Sequence, residues 1–263
     1  MNIHFFKKWY PKIFARPIFA KMNMTIARYG LRGLGILNYS SHELTGESHF
    51  LSWFINNYSP KTIFDVGANK GDYSELCRKY GFIGHIYGFE PNPITYKKLK
   101  ALETDKNHFF NIGFSNKPGS FELFYEKGKD ESTHATLYKE SIPADNTKIV
   151  SCEIELKTVD QFVHEQNIKN IDLLKIDTEG NEYKILIGAK KTIEADIIRA
   201  IQIEITGINV ISRVFFKDFF DLLSPKYNFF RLLPNSFLPI DEYNEFLFLE
   251  LFAYQNIIAI KKR

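Results

Sequence analysis

The segment Thr62-Ile63-Phe64-Asp65-Val66-Gly67-Ala68-Asn69-Lys70-Gly71-Asp72-Tyr73-Ser74 constrains this chain more than any other. A β-type apolar run ends in an acid, and a glycine-bearing turn leads directly into a helical pattern. Glycines at such a turn let the backbone approach a ligand with no Cβ in the way, and the helix start offers free N–H groups. A dinucleotide-binding turn has the spacing G-x-G-x-x-G. Here Gly67 and Gly71 have three residues between them and Asp65 lies two ahead, a pattern suited to a cofactor without a pyrophosphate.

A second acid supports this. The run Ile86-Tyr87-Gly88-Phe89 ends in Glu90, 25 residues beyond Asp65. An acid closing the second strand of such a unit is placed to accept hydrogen bonds from ribose hydroxyls. Pro91-Asn92-Pro93 then forces extended backbone and starts the next helix. From Thr62 onward, short apolar runs alternate with helical patterns, as in parallel-sheet α/β architecture. Strands are expected at about 62–66, 85–89, 107–112, 171–176 and 198–204, and helices at about 71–80, 93–103, 180–194 and 215–223. Between the third and fourth parallel strands, 121–125 and 152–156 alternate apolar with polar, the period of antiparallel or half-exposed strands. The polar stretch 126–147 between them reads as a long surface loop.

Composition narrows the classes of function. The 263 residues are 44% hydrophobic and 25% charged, which excludes a disordered or collagen-like chain. The net charge of +3 is too small to argue for a nucleic-acid partner by charge alone, and none is expected. The two cysteines, Cys77 and Cys152, build neither a disulfide framework nor a four-ligand zinc site, so a cytoplasmic protein is expected. No run of about 18 apolar residues occurs, so no spanning helix is expected. The 25 Phe and 14 Tyr are read chiefly as core. Residues 1–59 form an N-terminal extension beginning with basic amphipathic helices, suited to capping the main domain, to an oligomer contact or to the inner face of a membrane.

Three motifs occur in order: Asp65-Val66-Gly67-Ala68-Asn69-x-Gly71; Phe89-Glu90-Pro91-Asn92-Pro93; and Lys175-Ile176-Asp177-Thr178-Glu179-Gly180-Asn181-Glu182 with Gly188-Ala189. In these the chain resembles the FkbM family of S-adenosylmethionine-dependent methyltransferases over about 47–260. The resemblance implies a Rossmann-like class I methyltransferase fold over 60–263, mostly a parallel sheet with the β insertion described above. It also implies O-methylation of hydroxyls on sugars or related metabolites. Carried onto this sequence, it assigns Asp65, Gly67, Asn69 and Gly71 to the turn around the methionine half of S-adenosylmethionine, and Glu90 to the ribose. Asn92 goes to the adenosine and Phe114, within 111–116, to the adenine.

Ligands of open α/β sheets sit beyond the carboxyl ends of the strands, so Asp177 and Glu179 should face the transferring methyl or the acceptor. Asp177 is the first candidate for the base that removes the acceptor proton, followed by Glu179 and by His134 in the long loop. Glu182 is read more readily as helix N-terminal stabilisation. Asp177 with Glu204, near the end of the fifth strand, offers oxygen ligands for Mg²⁺. Tyr138, Asn209, Tyr227, Asn235 and Tyr243 are aromatic and amide side chains consistent with a sugar acceptor. Two other readings stand beside this one: methylation of a lipid-linked or protein acceptor, and a non-catalytic partner protein that keeps the cofactor pocket.

Overall fold

The computed structural model describes residues 3–126, 135–142, 149–243 and 249–263, with side chains described from Phe6 onward. Three helices come first: α1 (Ile3–Phe14), α2 (Ala20–Gly33) and α3 (Glu47–Tyr58). The α/β body continues with β1 (Thr62–Val66), α4 (Asp72–Lys79), β2 (His85–Phe89), α5 (Pro93–Lys100) and β3 (Asn107–Phe110). An inserted unit follows, made of β4 (Gly113–Phe114), β5 (Gly119–Glu126) and β6 (Ile149–Lys157). The chain returns through α6 (Val159–Glu165), β7 (Ile171–Ile176), α7 (Glu182–Ile187), α8 (Lys190–Glu194) and β8 (Ile198–Ile205). It closes with α9 (Asn209–Ser212), α10 (Phe216–Leu223), β9 (Tyr227–Leu233), β10 (Ser236–Ile240) and β11 (Gln255–Lys261).

Eight strands form one sheet in the order β10-β9-β11-β8-β7-β1-β2-β3. The five from β8 to β3 are parallel, with Ile63 beside Ile86 on one side and Leu173 on the other. β7 is buried at every position, as a central strand covered on both faces must be. The strand order reverses between β1 and β7, which opens a crevice at their carboxyl ends. Local sequence sets the helix starts. Asn92 caps α5 by accepting from Ile94 N at 2.9 Å, with Pro93 in the first position, and Thr158 caps α6 through Gln161 N at 3.0 Å.

Three departures from the sequence expectation have physical causes. The helix expected over 180–194 is two helices, α7 and α8, because the chain turns at Gly188, where a Cβ would lie 2.2 Å from the Ser115 carbonyl oxygen. The strand expected over 107–112 ends at Phe110, and the pair Gly113–Phe114 joins β5 and β6 in a separate three-stranded sheet instead. The antiparallel strands β9 to β11 were not marked out by periodicity, because their aromatic and aliphatic residues run together without alternation. Cys77 and Cys152 are both free thiols.

Much of the aromatic content is core. Phe162 of α6 meets Phe89 edge-on at 4.9 Å, Phe110 at 5.0 Å and Phe64 at 5.8 Å, over one face of β1, β2 and β3. The opposite face of the sheet is covered partly by α3. Its Phe50, Leu51 and Phe54 are fully buried with Ile63, Leu173, Ala200 and Ile258. Residues 47–58 therefore pack as part of the body's core, whereas no described side chain of α1 or α2 is buried. Phe54→Ala should lower unfolding stability in urea by about 3–5 kcal/mol. Tyr29→Ala on α2 should change it by no more than about 0.5 kcal/mol.

Candidate active site

A cavity of about 500 Å³ opens at the carboxyl ends of β1, β2, β7 and β8, with the small sheet and residues 39–47 completing its walls. The turn after β1 forms the floor. Gly67 has φ +81°, and a Cβ there would lie 1.8 Å from the Asp177 carbonyl oxygen, so only glycine lets β1 and β7 close at this end. Asn69 follows with φ +46°, and this left-handed turn points its N–H at Glu90 Oε2, 3.0 Å away. Glu90 Oε1 accepts from Asn92 N at 2.8 Å, so two backbone donors hold the carboxylate at the cavity wall. Burial pushes the Glu90 carboxyl up to about 7 while these two N–H groups pull it down.

The centre of the site is a residue to which the sequence reading gave no role. Lys175 is buried in β7 with its ammonium 3.3 Å from Asp65 Oδ1 and 3.1 Å from Asp177 Oδ2, over the Tyr73 ring at 5.1 Å. Burial works against its charge, but Asp177, Asp65 and Glu47 outweigh burial and keep its pKa above the ordinary lysine value. Asp65 is fully buried and Ser74 also donates to it, at 3.3 Å. Burial still raises its carboxyl above the usual range. Asp177, by contrast, is about one-third exposed and faces the cavity. Glu204 hydrogen-bonds to it. Burial first, then the charges of Asp177 and Glu179, raise the Glu204 carboxyl well above its ordinary value.

The loop 177–181 is held from within. Glu182 accepts from Thr178 N at 2.9 Å, Thr178 Oγ1 at 3.0 Å and Gly180 N at 3.0 Å, which makes it a structural clamp. Glu179 has φ +55°, lines the cavity and accepts from Thr136 Oγ1 through its carbonyl at 3.0 Å. Asn181 donates to the Phe114 carbonyl at 2.7 Å, and its buried Oδ1, at the cavity, has no hydrogen-bond partner among the described residues.

A polar network joins α3 to this centre. Glu47 accepts from Gln202 Nε2 at 2.8 Å and pairs with His42 Nδ1 at 2.8 Å, while Tyr73 donates to Gln202 Oε1 at 2.7 Å. The hydrogen bond to Glu47 raises the His42 pKa. A lysine within the aliphatic run Ile171–Ile176 and a glutamine within Ile198–Ile205 were the signals for Lys175 and Gln202, since a polar group in a buried strand needs a partner. Glu47 and His42 carried no local signal.

Of the residues singled out from sequence, Gly67, Asn69, Glu90, Phe114, Asp177, Glu179 and Glu204 line the cavity. Asp65, Gly71 and Asn92 stand behind the wall: Asp65 beneath Lys175, Gly71 at the start of α4, and Asn92 capping α5 with its side chain. Phe114 is both wall and core, 4.5 Å from the Phe89 ring. His134 lies outside the described residues. Tyr227 is not at the site, because its hydroxyl donates to the Ile198 carbonyl at the opposite end of the sheet. Among the described residues, no group of three or more His, Cys, Asp or Glu side chains gathers as a metal site. The Mg²⁺ expected at Asp177 and Glu204 does not fit this donor set, because the Lys175 ammonium, 3.1 Å from Asp177 Oδ2, already balances that carboxylate and repels a second cation.

The family model for the methyltransferase FkbM domain matches residues 65–231, more than half of the chain. The chain belongs to this family and is an S-adenosylmethionine-dependent methyltransferase. It is 22% identical over 184 residues to the hexuronic acid methyltransferase AglP of Haloferax volcanii, covering 68% of this chain and 71% of that protein. It is 27% identical over 169 residues to the methyltransferase sdnD of Sordaria araneosa, covering 54% and 65% respectively. Among solved structures, the plantazolicin methyltransferase BamL in complex with SAH aligns over 96% of this chain and 94% of that one, with 11% identity and a TM-score of 0.47. A Clostridium thermocellum protein described as a putative rRNA-methylase aligns over 85% and 97%, with 9% identity and a TM-score of 0.45.

Two expectations follow. Lys175→Met leaves Asp65 buried without its cation and should cost about 3–5 kcal/mol of stability near neutral pH. A buried Asp65 with no cation beside it has a folded pKa above its unfolded one, so the variant's deficit should grow as pH rises and shrink in acid, as urea titrations at several pH values would show. In the unmodified chain, S-adenosylhomocysteine affinity should rise with pH through about 7 as Glu90 ionises and becomes the better acceptor. Calorimetry of Glu90→Gln should show weaker binding and a flattened pH profile.

Proposed function

We propose that this enzyme transfers the methyl group of S-adenosylmethionine to a hydroxyl of a neutral sugar or glycan. The observation that carries this reading is that the Glu90 carboxylate and the Asp177–Glu204 acid pair face one cavity. Bound S-adenosylmethionine supplies a sulfonium methyl open to in-line attack. In this reading Glu90 accepts the ribose hydroxyls, the turn of Gly67, Asn69 and Gly71 shapes the methionine end, and Phe114 flanks the adenine. Asp65 acts from below by fixing Lys175. Asp177 accepts the acceptor's proton as its oxygen attacks, with Lys175 and Glu204 holding the carboxylate in place. Asn181 Oδ1, buried and unpartnered, accepts from a second hydroxyl of the same acceptor.

The charge of the walls refines the acceptor class. Glu43, Glu47, Asp72, Glu90, Asp177 and Glu179 all line the cavity, and Lys175 is already engaged by two carboxylates. Such a field favours a sulfonium cation and opposes an anionic acceptor. AglP is described as acting on a hexuronic acid; a neutral hydroxyl acceptor suits these walls better than a uronate.

The test is calorimetric titration with S-adenosylmethionine and NAD, followed by a mass-spectrometric screen of neutral and acidic sugars and nucleotide sugars. Saturable binding of S-adenosylmethionine but not NAD, with methylated neutral sugars as products, is expected. Methylation confined to uronic acids or to non-hydroxyl acceptors would overturn the proposal. Asp177→Asn should reduce turnover by about 100-fold or more while leaving S-adenosylhomocysteine affinity within about threefold.

A further inference from the structure

The first two helices are built unlike the rest of the chain. In α1, Phe6, Trp9 and Ile13 recur at i, i+3 and i+7 on one face and are 49%, 48% and 46% exposed. In α2, Met22, Ile26 and Tyr29 recur at i, i+4 and i+7 and are likewise exposed, as is Ile18 ahead of them. The two helices are tied to one another by Tyr10, which donates to Asn23 Oδ1 at 2.6 Å, and the Phe14 ring meets that of Phe19, in the turn just ahead of α2, at 5.3 Å. Their apolar stripes are left facing outward.

The charge of this hairpin is one-sided. Lys7, Lys8, Lys12, Arg16, Lys21, Arg28 and Arg32 lie within its first 33 residues, and no Asp or Glu occurs before Glu43. The remainder of the chain holds 27 basic against 31 acidic side chains, a balance of −4. Lys12 and Lys7 stand on the two sides of the α1 stripe, and Lys21, Arg28 and Arg32 share a face beside the α2 stripe, the arrangement in which long basic side chains reach headgroups while apolar ones enter the interface. No described helix is long and apolar enough to cross a membrane.

We propose that the α1–α2 hairpin docks this enzyme on an anionic lipid surface. Exposed aromatic and aliphatic stripes bordered by cations, with no acid in the segment, match the interface of a negatively charged leaflet. A positively charged second copy of the same hairpin would repel it. The body is held to the hairpin just beyond α2, where Leu37 N donates to the Tyr254 carbonyl at 2.8 Å and Ile36 is fully buried. Residues 39–43, which then line the cavity, begin six residues after Gly33, a chain reach of about 20 Å. Docking therefore tethers the cavity rim close to the bilayer.

Co-sedimentation of the full chain with sized vesicles tests this independently of any acceptor. Binding is expected to vesicles of phosphatidylcholine with phosphatidylglycerol, to weaken with salt, and to be nearly absent with phosphatidylcholine alone. In a Trp53→Phe background, Trp9 emission should shift to shorter wavelength on binding. The set Lys7→Glu, Lys8→Glu, Lys12→Glu and the pair Trp9→Ser, Ile13→Ser should each reduce vesicle affinity about tenfold or more, with S-adenosylhomocysteine affinity unchanged. Failure to bind anionic vesicles at low salt, equal binding to neutral ones, or an unmoved Trp9 emission would overturn the proposal. So would a dimer in sedimentation velocity that is lost with Trp9→Ser while vesicles remain unbound.

Discussion

The Lys175 ammonium between Asp65 and Asp177 is the interaction on which the site depends. Three charged groups meet where β1 and β7 end, and two of them are shut away from water. Such a cluster adds little net stability compared with an apolar core of the same volume, because desolvation consumes most of the Coulombic gain. Its value is geometric. With Asp65 fixed by its strand and by Ser74, the ammonium has one position, and that position determines where the Asp177 carboxylate points. The Gly67 turn passes against the Asp177 carbonyl with no space for a Cβ, so the backbones close at the same place as the charges.

Residues that act through periodicity or turn chemistry were legible in the sequence. The five parallel strands, the inserted sheet, the Gly67–Gly71 turn and the placement of Glu90 and Asp177 beyond strand ends all follow from local pattern. What was not legible depends on contacts between distant segments. Glu47 lies 155 residues from Gln202, and nothing around it marks it as the partner of a buried amide. The break at Gly188 depends on the Ser115 backbone, and the antiparallel strands β9 to β11 are specified by a buried face without alternation. Asn92 shows the converse limit: a motif position in sequence, it acts through its backbone N–H while its side chain serves the helix cap.

The carboxyl groups of one small region are driven to different states by different surroundings. Glu182 is buried and pushed up to about 7, yet backbone and hydroxyl donors satisfy it from the loop it clamps. Glu204 is also raised well above its ordinary value, by burial and by the charges of Asp177 and Glu179, and it hydrogen-bonds to Asp177. Asp177 has both a cation and a hydrogen-bond donor, and part of it remains open to the cavity. Of these three acids it is the one that stands beside a cation with part of its side chain open to the cavity, where an acceptor can reach it. Separation of protonation states by environment is how neighbouring acids take distinct roles.

α3 belongs to this electrostatic arrangement as much as to the core. Its buried phenylalanines anchor it on the sheet, and from that position Glu47 reaches Gln202, which in turn orients the Tyr73 hydroxyl. Tyr73 sets its ring beneath Lys175, so a displacement of α3 would be felt at the ammonium through one amide and one ring. Glu47 also holds His42 in the segment that forms the cavity wall. The hairpin lies just upstream of that wall on the same chain, and Ile36 and Leu37 fasten the connection to β11 and its approach. The region before the first strand is thus continuous with the charged centre of the site: leaving the hairpin, the chain is fastened to the sheet at Ile36 and Leu37 and then passes directly into the cavity wall.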